Sequence, residues 1–168
     1  MTREPDDDRR TVLKLAGLSA AGVGSIAGLS GTAAASNSED GLITVEGGET
    51  VEGTVERIEA AIEEGPPELI TTFNHAANAA SVDEELRETT LILFGTPEVG
   101  TPIMQENQTA GIDLPQKLLV WCDEDGQVQI TYNDPEWNLV DRHSVSESEQ
   151  IEMMSEALAG FAAAGAEE

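Results

Sequence analysis

One strand–turn–strand pattern in the second half of the chain restricts the folds open to it. The run Gln116 to Cys122 is mostly apolar, and residues 127–132 alternate polar with apolar side chains. Asp125-Gly126 between the two runs is a typical tight turn of a β-hairpin. Because the alternation has a period of two, the hairpin predicts an antiparallel sheet that is buried on one face.

Further strands and helices are predicted on both sides of this hairpin. Apolar runs predict strands at 42–45, 69–75 and 90–94, the last of them central in the sheet. Thr50 is the predicted cap of a first helix, whose apolar stripe is Val51, Val55, Ile58 and Ile62. Thr101-Pro102 predicts the start of a second helix, and Pro135 precedes a helical turn around Trp137. Ser146 and Glu149 form a capping box before a last helix, whose apolar stripe is Ile151, Met154, Leu158 and Phe161.

The predicted order is β-α-β-β-α-β-β-α-α, which lacks the regular alternation of a parallel sheet. It predicts an α+β fold, a mostly antiparallel sheet of about five strands with helices packed on one face. Residues 42–142 are expected to form the domain, and the amphipathic helix within 143–168 is expected to complete it.

The first 35 residues predict an export signal. Asp8 to Lys14 resembles the twin-arginine motif, an apolar segment follows at 12–29, and Ala33-Ala34-Ala35 matches a small-x-small cleavage pattern. Several glycines make the segment a poor permanent membrane helix. We expect a twin-arginine signal over 1–35, a polar tether over 36–41, an extracellular or cell-surface protein, and no stable membrane span after cleavage. The alternative is an uncleaved amphipathic arm.

Acidic residues dominate the chain outside this signal. The whole chain has 33 acidic and 8 basic residues, and residues 36–168 keep 29 and 4 of them, a net charge of −25. Such a surface repels phosphate, which argues against nucleic acid and anionic membranes as partners. Lysine depletion with acids spread along the chain is typical of salt-in halophiles, haloarchaea above all, where molar salt screens the repulsion. The alternative is an acidic secreted protein of a mesophile.

Several blocks in the middle of the chain resemble the family called Domain of Unknown Function 302. In chain order they are His75-Ala76-Ala77-Asn78-Ala79-Ala80, Glu85-Leu86-Arg87, Leu91 to Pro97, Gly100 to Met104, Gly111 to Pro115 and Tyr132-Asn133. The blocks keep the order of the family and cover roughly residues 42–142. The resemblance implies a TATA-binding-protein-like, helix-grip sandwich and a homodimer, and it implies no settled activity.

The chain departs from the family pattern at two positions. Glu88 stands where the family usually has proline, and Asn107-Gln108-Thr109 replaces asparagine–proline–threonine. Without the proline, Asn107 begins a formal N-glycosylation sequon in an exported protein.

Signatures of catalysis, metal binding and cofactor binding are missing from the sequence. No lysine-containing phosphate loop, nucleophile elbow in the mature part or paired-histidine zinc motif occurs, and the single cysteine excludes an intramolecular disulfide. With only two histidines, a multi-histidine zinc site is not expected, although a histidine–carboxylate site stays open. We therefore predict no catalytic residues, no metal site and no cofactor.

Five residues are the candidates for ligand binding. His75 is expected to share a strand face with Leu69 and Phe73, either lining a cavity or holding the turn that follows. The other candidates are Arg87, Asp113, Lys117 and Tyr132, each with an alternative structural role, such as an ion pair between Lys117 and a carboxylate like that of Asp113. His143 is expected to be solvated in a linker.

Three classes of function remain open. The leading hypothesis is an exported, non-catalytic module, dimeric, that binds a small molecule, an ion or a partner. The second is an enzyme of unrecognised class that uses His75 with Asp113 or Lys117. The third is a surface structural or adhesion protein without a ligand.

Overall fold

Every neighbouring pair of strands is antiparallel, as the hairpin pattern predicted. The computed structural model describes residues 36–37, 40–146 and 148–167, so the predicted signal and its cleavage site lie outside the described residues. The strands are β1 (Ser36–Asn37), β2 (Leu42–Glu46), β3 (Glu68–Asn74), β4 (Thr89–Gly95), β5 (Gln116–Cys122) and β6 (Val128–Asn133), in the sheet order β1-β2-β6-β5-β4-β3.

Four α-helices and two shorter turns complete the described part of the chain. They are α1 (Val51–Glu64), α2 (His75–Ala80), α3 (Pro97–Glu106), a 3-10 turn (Gln108–Ile112), a π-helical turn (Glu136–Asp141) and α4 (Glu149–Ala166). The predicted α+β fold is confirmed, with β1 a two-residue strand inside the segment predicted to be a tether. No helix among the described residues is long and apolar enough to cross a membrane.

The alternation of the strands places α1 and α4 on one face of the sheet. Ile92 of β4 and Leu118 of β5 are buried in the same apolar cluster as Ile58 of α1 and Leu158 of α4. Full burial of one such side chain stabilises the fold by roughly 1.5–3 kcal/mol, so this layer is a main source of stability. The side chains of β4 and β5 that alternate with these buried ones point to the other face of the sheet and are only half-buried.

A second apolar cluster lies where α3, the two short turns and the start of α4 meet. Its buried members are Ile103, Ala110, Leu139, Val145, Ile151 and Met154. The helical stripe predicted for α4 therefore serves two clusters, because Ile151 and Met154 belong to this one and Leu158 belongs to the sheet layer.

A register shift in β3 overturns part of the prediction for that strand. The shift lies between Leu69 and Thr71, and it inverts the alternation of side chains. Leu69 packs against the sheet cluster, whereas Phe73 pairs with Leu91, one of the half-buried positions. His75 is the first residue of α2 and lies outside the strand, although its ring contacts Phe73 edge to face at 4.9 Å. The prediction of one strand face for Leu69, Phe73 and His75 is therefore wrong.

The helix starts predicted at Thr101-Pro102 and at Ser146 are both wrong. α3 begins five residues earlier, since the backbone N–H groups of Val99 and Gly100 both donate to the Thr96 carbonyl at 3.0 Å. Thr96-Pro97 carries the same cap-then-proline signal, and Pro102 lies inside the helix. α4 begins at Glu149 after Ser148, and Ser146 instead donates to a carboxylate of α3.

That carboxylate belongs to Glu106. Its Oε1 accepts from the Ser146 hydroxyl at 2.7 Å and from the Ser146 backbone N–H at 2.9 Å. These bonds hold the pKa of Glu106 below its ordinary value, the hydroxyl bond having the larger effect. The end of α3 is thus tied to the chain just before α4.

We expect the contribution of Glu106 to stability to vanish in acid. A carboxyl whose folded pKa is depressed stabilises the fold above its unfolded pKa, about 4.3, and loses this effect as the pH falls through the lower folded value. Urea unfolding in molar salt should show Glu106→Gln less stable than wild type at pH 7, and the difference should disappear as the pH falls through the lowered pKa of Glu106. Glu63→Gln, an exposed glutamate of α1, is the control, and a pH-independent difference for Glu106→Gln contradicts the assignment.

Gly41 is required by both its backbone and its neighbour. Its φ is +72°, and a Cβ added there would lie 2.2 Å from Cδ2 of Trp137. The Gly41 carbonyl also accepts from the Asp134 backbone N–H at 2.9 Å, which joins the start of β2 to the end of β6.

Comparing two glycines separates these effects. Gly126, in the hairpin turn, has a φ of +83°, and no atom of the described residues lies within 4 Å of an added Cβ. We expect Gly126→Ala to lower the free energy of unfolding by about 1 kcal/mol, from the left-handed backbone alone. Gly41→Ala should lose roughly 3 kcal/mol, because Trp137 must also move. Equal losses in chemical denaturation contradict the packing of Trp137 on Gly41.

Candidate functional site

A largely apolar groove of about 720 Å³ lies where the two apolar clusters meet. This volume is in the range of small-molecule sites, about 300–1,000 Å³. Its apolar side chains come from the segment before β3, from β3 and β4, from α3, from the segment before β5 and from α4, namely Pro66, Pro67, Ile70, Phe94, Pro97, Val99, Met104, Leu114, Pro115, Met153, Met154, Ala157 and Phe161.

The end of β4 contributes Phe94 and Gly95 to the groove lining. Phe94 is buried and stacks edge to face on Phe161 of α4, with ring centroids 5.1 Å apart. Gly95 follows, and an added Cβ there would lie 3.4 Å from Cβ of Pro115, on the groove wall. The chain then turns into α3 at Thr96, and α3 supplies Val99 and Met104 to the lining.

Few polar groups enter the groove. Gln116, at the start of β5, is only 8% exposed, and its Nε2 donates to Sδ of Met154 at 3.1 Å. Among the described residues that line the groove, the charged ones are Glu68 and Glu156, and none is basic. The groove therefore combines an apolar lining with a negative rim.

Beside one groove wall lies a set of polar side chains that we call the polar clasp: Asn107, Thr109, Asp113 and His143. Nε2 of His143 lies 2.6 Å from Oδ2 of Asp113, and its Nδ1 lies 3.2 Å from Oγ1 of Thr109. Nδ2 of Asn107 donates to the His143 carbonyl at 2.6 Å. Leu114 and Pro115 of the groove follow Asp113 directly, so the clasp fixes the segment that forms this wall.

Two basic residues converge on the same aspartate. Nζ of Lys117 donates to the Asp113 backbone carbonyl at 2.7 Å, so Lys117 reaches the predicted residue but bonds its main chain. Nη1 of Arg142 lies 3.6 Å from the Asp113 carboxylate. Burial lowers the pKa of Lys117, and the charge of Asp113 opposes that effect.

His143 was predicted to be solvated, and that prediction is wrong. Its side chain is only 9% exposed and is hydrogen-bonded through both ring nitrogens. The contact with Asp113 spans 30 residues, so no local pattern signals it. The scarcity of histidine in the chain is the one sequence feature that singles this residue out.

The remaining candidates lie apart from the clasp. Nε of Arg87 donates to the Cys122 carbonyl at 3.0 Å, at the end of β5. Tyr132 is buried in the sheet cluster, and this burial, with a smaller effect from Asp134, raises its pKa. None of the five predicted ligand residues is among the described residues that line the groove.

The structure does not bring His75 next to Asp113 or Lys117. His75 follows the pair formed by Asn74 and Thr90, whereas Lys117 pairs with Leu93, which faces Thr71. His75 is thus four positions beyond Thr71, roughly 13 Å along the strand direction at about 3.3 Å per residue, and β4 lies between β3 and the strand that carries Lys117.

Asn107 has a structural role in the clasp. Its Oδ1 accepts from the backbone N–H and the hydroxyl of Thr109 at 3.0 and 2.8 Å. Its Nδ2, the atom that would carry a glycan, donates to the His143 carbonyl. N-glycosylation at Asn107 stays a prediction. A glycan on Nδ2 would require the hydrogen bond between Nδ2 and the His143 carbonyl to change its geometry.

Comparison with known families now places the chain. The sequence profile described as domain of unknown function DUF302 matches residues 43–161, most of the chain. The chain belongs to the DUF302 family. The family membership inferred from the sequence blocks is confirmed, and the name of the family states no activity.

Curated relatives match this chain over part of a longer protein. The protein named fluoride-specific ion channel FluC 1 of Brucella suis biovar 1 (strain 1330) is 40% identical over 113 residues, which are 67% of this chain and 44% of that protein. Fluoride-specific ion channel FluC 2 of Brucella melitensis biotype 1 (strain ATCC 23456 / CCUG 17765 / NCTC 10094 / 16M) is also 40% identical over 113 residues, 42% of its length. The chain spans less than half the length of these relatives.

A solved structure supports the DUF302 fold. The crystal structure of an uncharacterised conserved DUF302 protein from Bacillus stearothermophilus superposes with a TM-score of 0.64 and 18% identity. The match covers 74% of this chain and 98% of that one. This likeness concerns the fold alone.

The two histidines provide a test of the clasp. His143→Ala removes hydrogen bonds to a carboxylate and a hydroxyl in a nearly buried place, and we expect a loss of about 2–3 kcal/mol in the free energy of unfolding. His75→Ala removes the edge-to-face contact with Phe73, and we expect a loss of about 1 kcal/mol or less. Denaturant unfolding in molar salt measures both, and equal losses contradict the clasp.

Proposed function

We propose that this DUF302 protein is an exported binding module whose groove takes a small, largely apolar ligand. The observation that carries the proposal is the groove itself, concave, apolar and about 720 Å³ in volume. Sites with an apolar lining and a few placed polar groups are the usual form of small-molecule sites.

The methionines of the groove support a binding role. Met104, Met153 and Met154 all line it. Methionine side chains are flexible and polarisable, so they adapt to ligands of irregular shape. Burial of apolar ligand surface supplies a favourable free energy of roughly 25 cal/mol per Å² before the costs of association are counted.

Binding is favoured over catalysis by the placement of the titratable groups. Glu68 and Glu156 are the titratable residues among the described groove lining, with no histidine, lysine or cysteine beside them. The enzyme alternative relied on His75 with Asp113 or Lys117. His75 follows the end of β3, whereas Lys117, which bonds the Asp113 carbonyl, is level with Thr71 of that strand. A binding module needs no such pairing.

The setting of the module is part of the proposal. Export by the twin-arginine route rests on residues 8–35, and adaptation to molar salt rests on the 29 acidic and 4 basic residues of 36–168. Assembly as a homodimer rests on the family resemblance. A folded domain suits this route, because twin-arginine export carries folded proteins.

A bulky side chain placed in the groove tests the binding role. The probe is Nile red, a neutral apolar dye whose fluorescence rises when it leaves water, added to the full protein in molar salt. Ala157 of α4 lines the groove, so Ala157→Phe should fill part of it and weaken dye binding at least tenfold.

Ala159→Phe is the matched control, since Ala159 is exposed on the same helix and does not line the groove. We expect this variant to bind Nile red as the wild type does. Absence of saturable binding to the wild type, or equal binding by both variants, overturns the proposal.

A further inference from the structure

We propose that the groove selects amphipathic ligands with a hydrogen-bond donor on an apolar body, and that it prefers an alkyl amine to an alkyl carboxylate of equal length. The inference rests on the groove being a ligand site and names the chemical class that this site accepts. It is carried by Gln116 and by the charge of the groove rim.

Gln116 presents a carbonyl oxygen that has no hydrogen-bond partner among the described residues. The residue is more than nine-tenths buried and lines the groove, and its Nε2 donates to Met154 Sδ. This orients the amide, because the carbonyl oxygen facing a thioether would bring two acceptors together. No hydrogen bond reaches Gln116 Oε1 from the described residues.

The groove is the space open to this oxygen. Within the described part of the chain, Nε of Arg57 is the buried side-chain polar atom that lacks a partner. Gln116 Oε1 is therefore not sealed in protein, and the space that Gln116 lines is the groove. An acceptor in an apolar site favours a ligand that donates a hydrogen bond there, because an unpaired polar group loses its hydration when the ligand binds.

The charges of the rim favour the cationic form of such a donor. Glu68 and Glu156 are acidic, and no basic residue of the described chain lines the groove. The protein as a whole carries a formal charge of −25, so its field also disfavours anions. Molar salt screens the distant charges far more than those at the rim, since the Debye length is then about 3 Å.

Three probes of one chain length separate these effects. The probes are n-octylamine, 1-octanol and octanoate, which displace Nile red from the full protein in molar salt at pH 7. The amine and octanoate are used below their micelle concentrations and the alcohol below its solubility limit. We expect the amine to bind at least tenfold more tightly than octanoate, with the alcohol between them. Octanoate that binds as tightly as the amine overturns the inference.

Variants assign the preference to the named groups. Gln116→Met keeps an unbranched side chain and removes the acceptor. It should weaken amine binding about tenfold, the effect of one hydrogen bond from a charged donor, and weaken alcohol binding several-fold, the effect of one from a neutral donor. Nile red, which has no donor, should bind this variant normally and so reports that the groove is intact. Unchanged amine and alcohol binding overturns the role of Gln116.

A pair of charge variants tests the rim independently of Gln116. Glu68→Gln with Glu156→Gln should weaken the amine several-fold and leave the alcohol unchanged. Glu63→Gln with Glu152→Gln removes the same charge from exposed positions that do not line the groove, and should not change the binding of either probe.

If Nile red binds and Ala157→Phe blocks it while the three probes bind equally, the donor selectivity fails and the ligand groove stands. If Nile red does not bind, the groove itself fails as a site.

Discussion

One stripe along α4 holds the two apolar clusters of the domain together. Its first half places Ile151 and Met154 against α3 and the short turns, and its second half places Leu158 and Ala162 against the sheet and α1. Apolar burial is the dominant favourable term in folding, so the position of α4 follows from satisfying both clusters at once. The groove lies where the stripe passes from one cluster to the other, and its shape is a consequence of that packing.

Polar contacts then fix the segments that apolar packing leaves undetermined. The clasp around Asp113 holds the chain that leads into Leu114 and Pro115, while Glu106 and Ser146 join the end of α3 to the approach to α4. Both sets of bonds cross between segments that are 30 and 40 residues apart in sequence. The wall of the groove is thus held by bonds outside the groove, which leaves its own lining free to contact a ligand.

The sheet and its helices could be predicted from the sequence because strand alternation, helical stripes and helix caps are local signals. The predicted helix cap at Thr50 is confirmed, since its hydroxyl accepts from the Gly53 backbone N–H at 3.1 Å. The groove could not be predicted, because its lining comes from separate segments that only the tertiary fold brings together. His143 was misjudged for the same reason, and the start of α3 because two threonine–proline pairs carry the same local signal.

Methionine methyl NMR tests the central claim most directly. The chain has four methionines, and three of them, Met104, Met153 and Met154, line the groove. With ¹³C-methyl-methionine labelling, the folded protein is titrated with n-octylamine in molar salt. The methyl signals of these three methionines should all shift, with the same dependence on amine concentration and the same saturation point. Saturable binding of the amine that leaves all three signals in place would contradict the account.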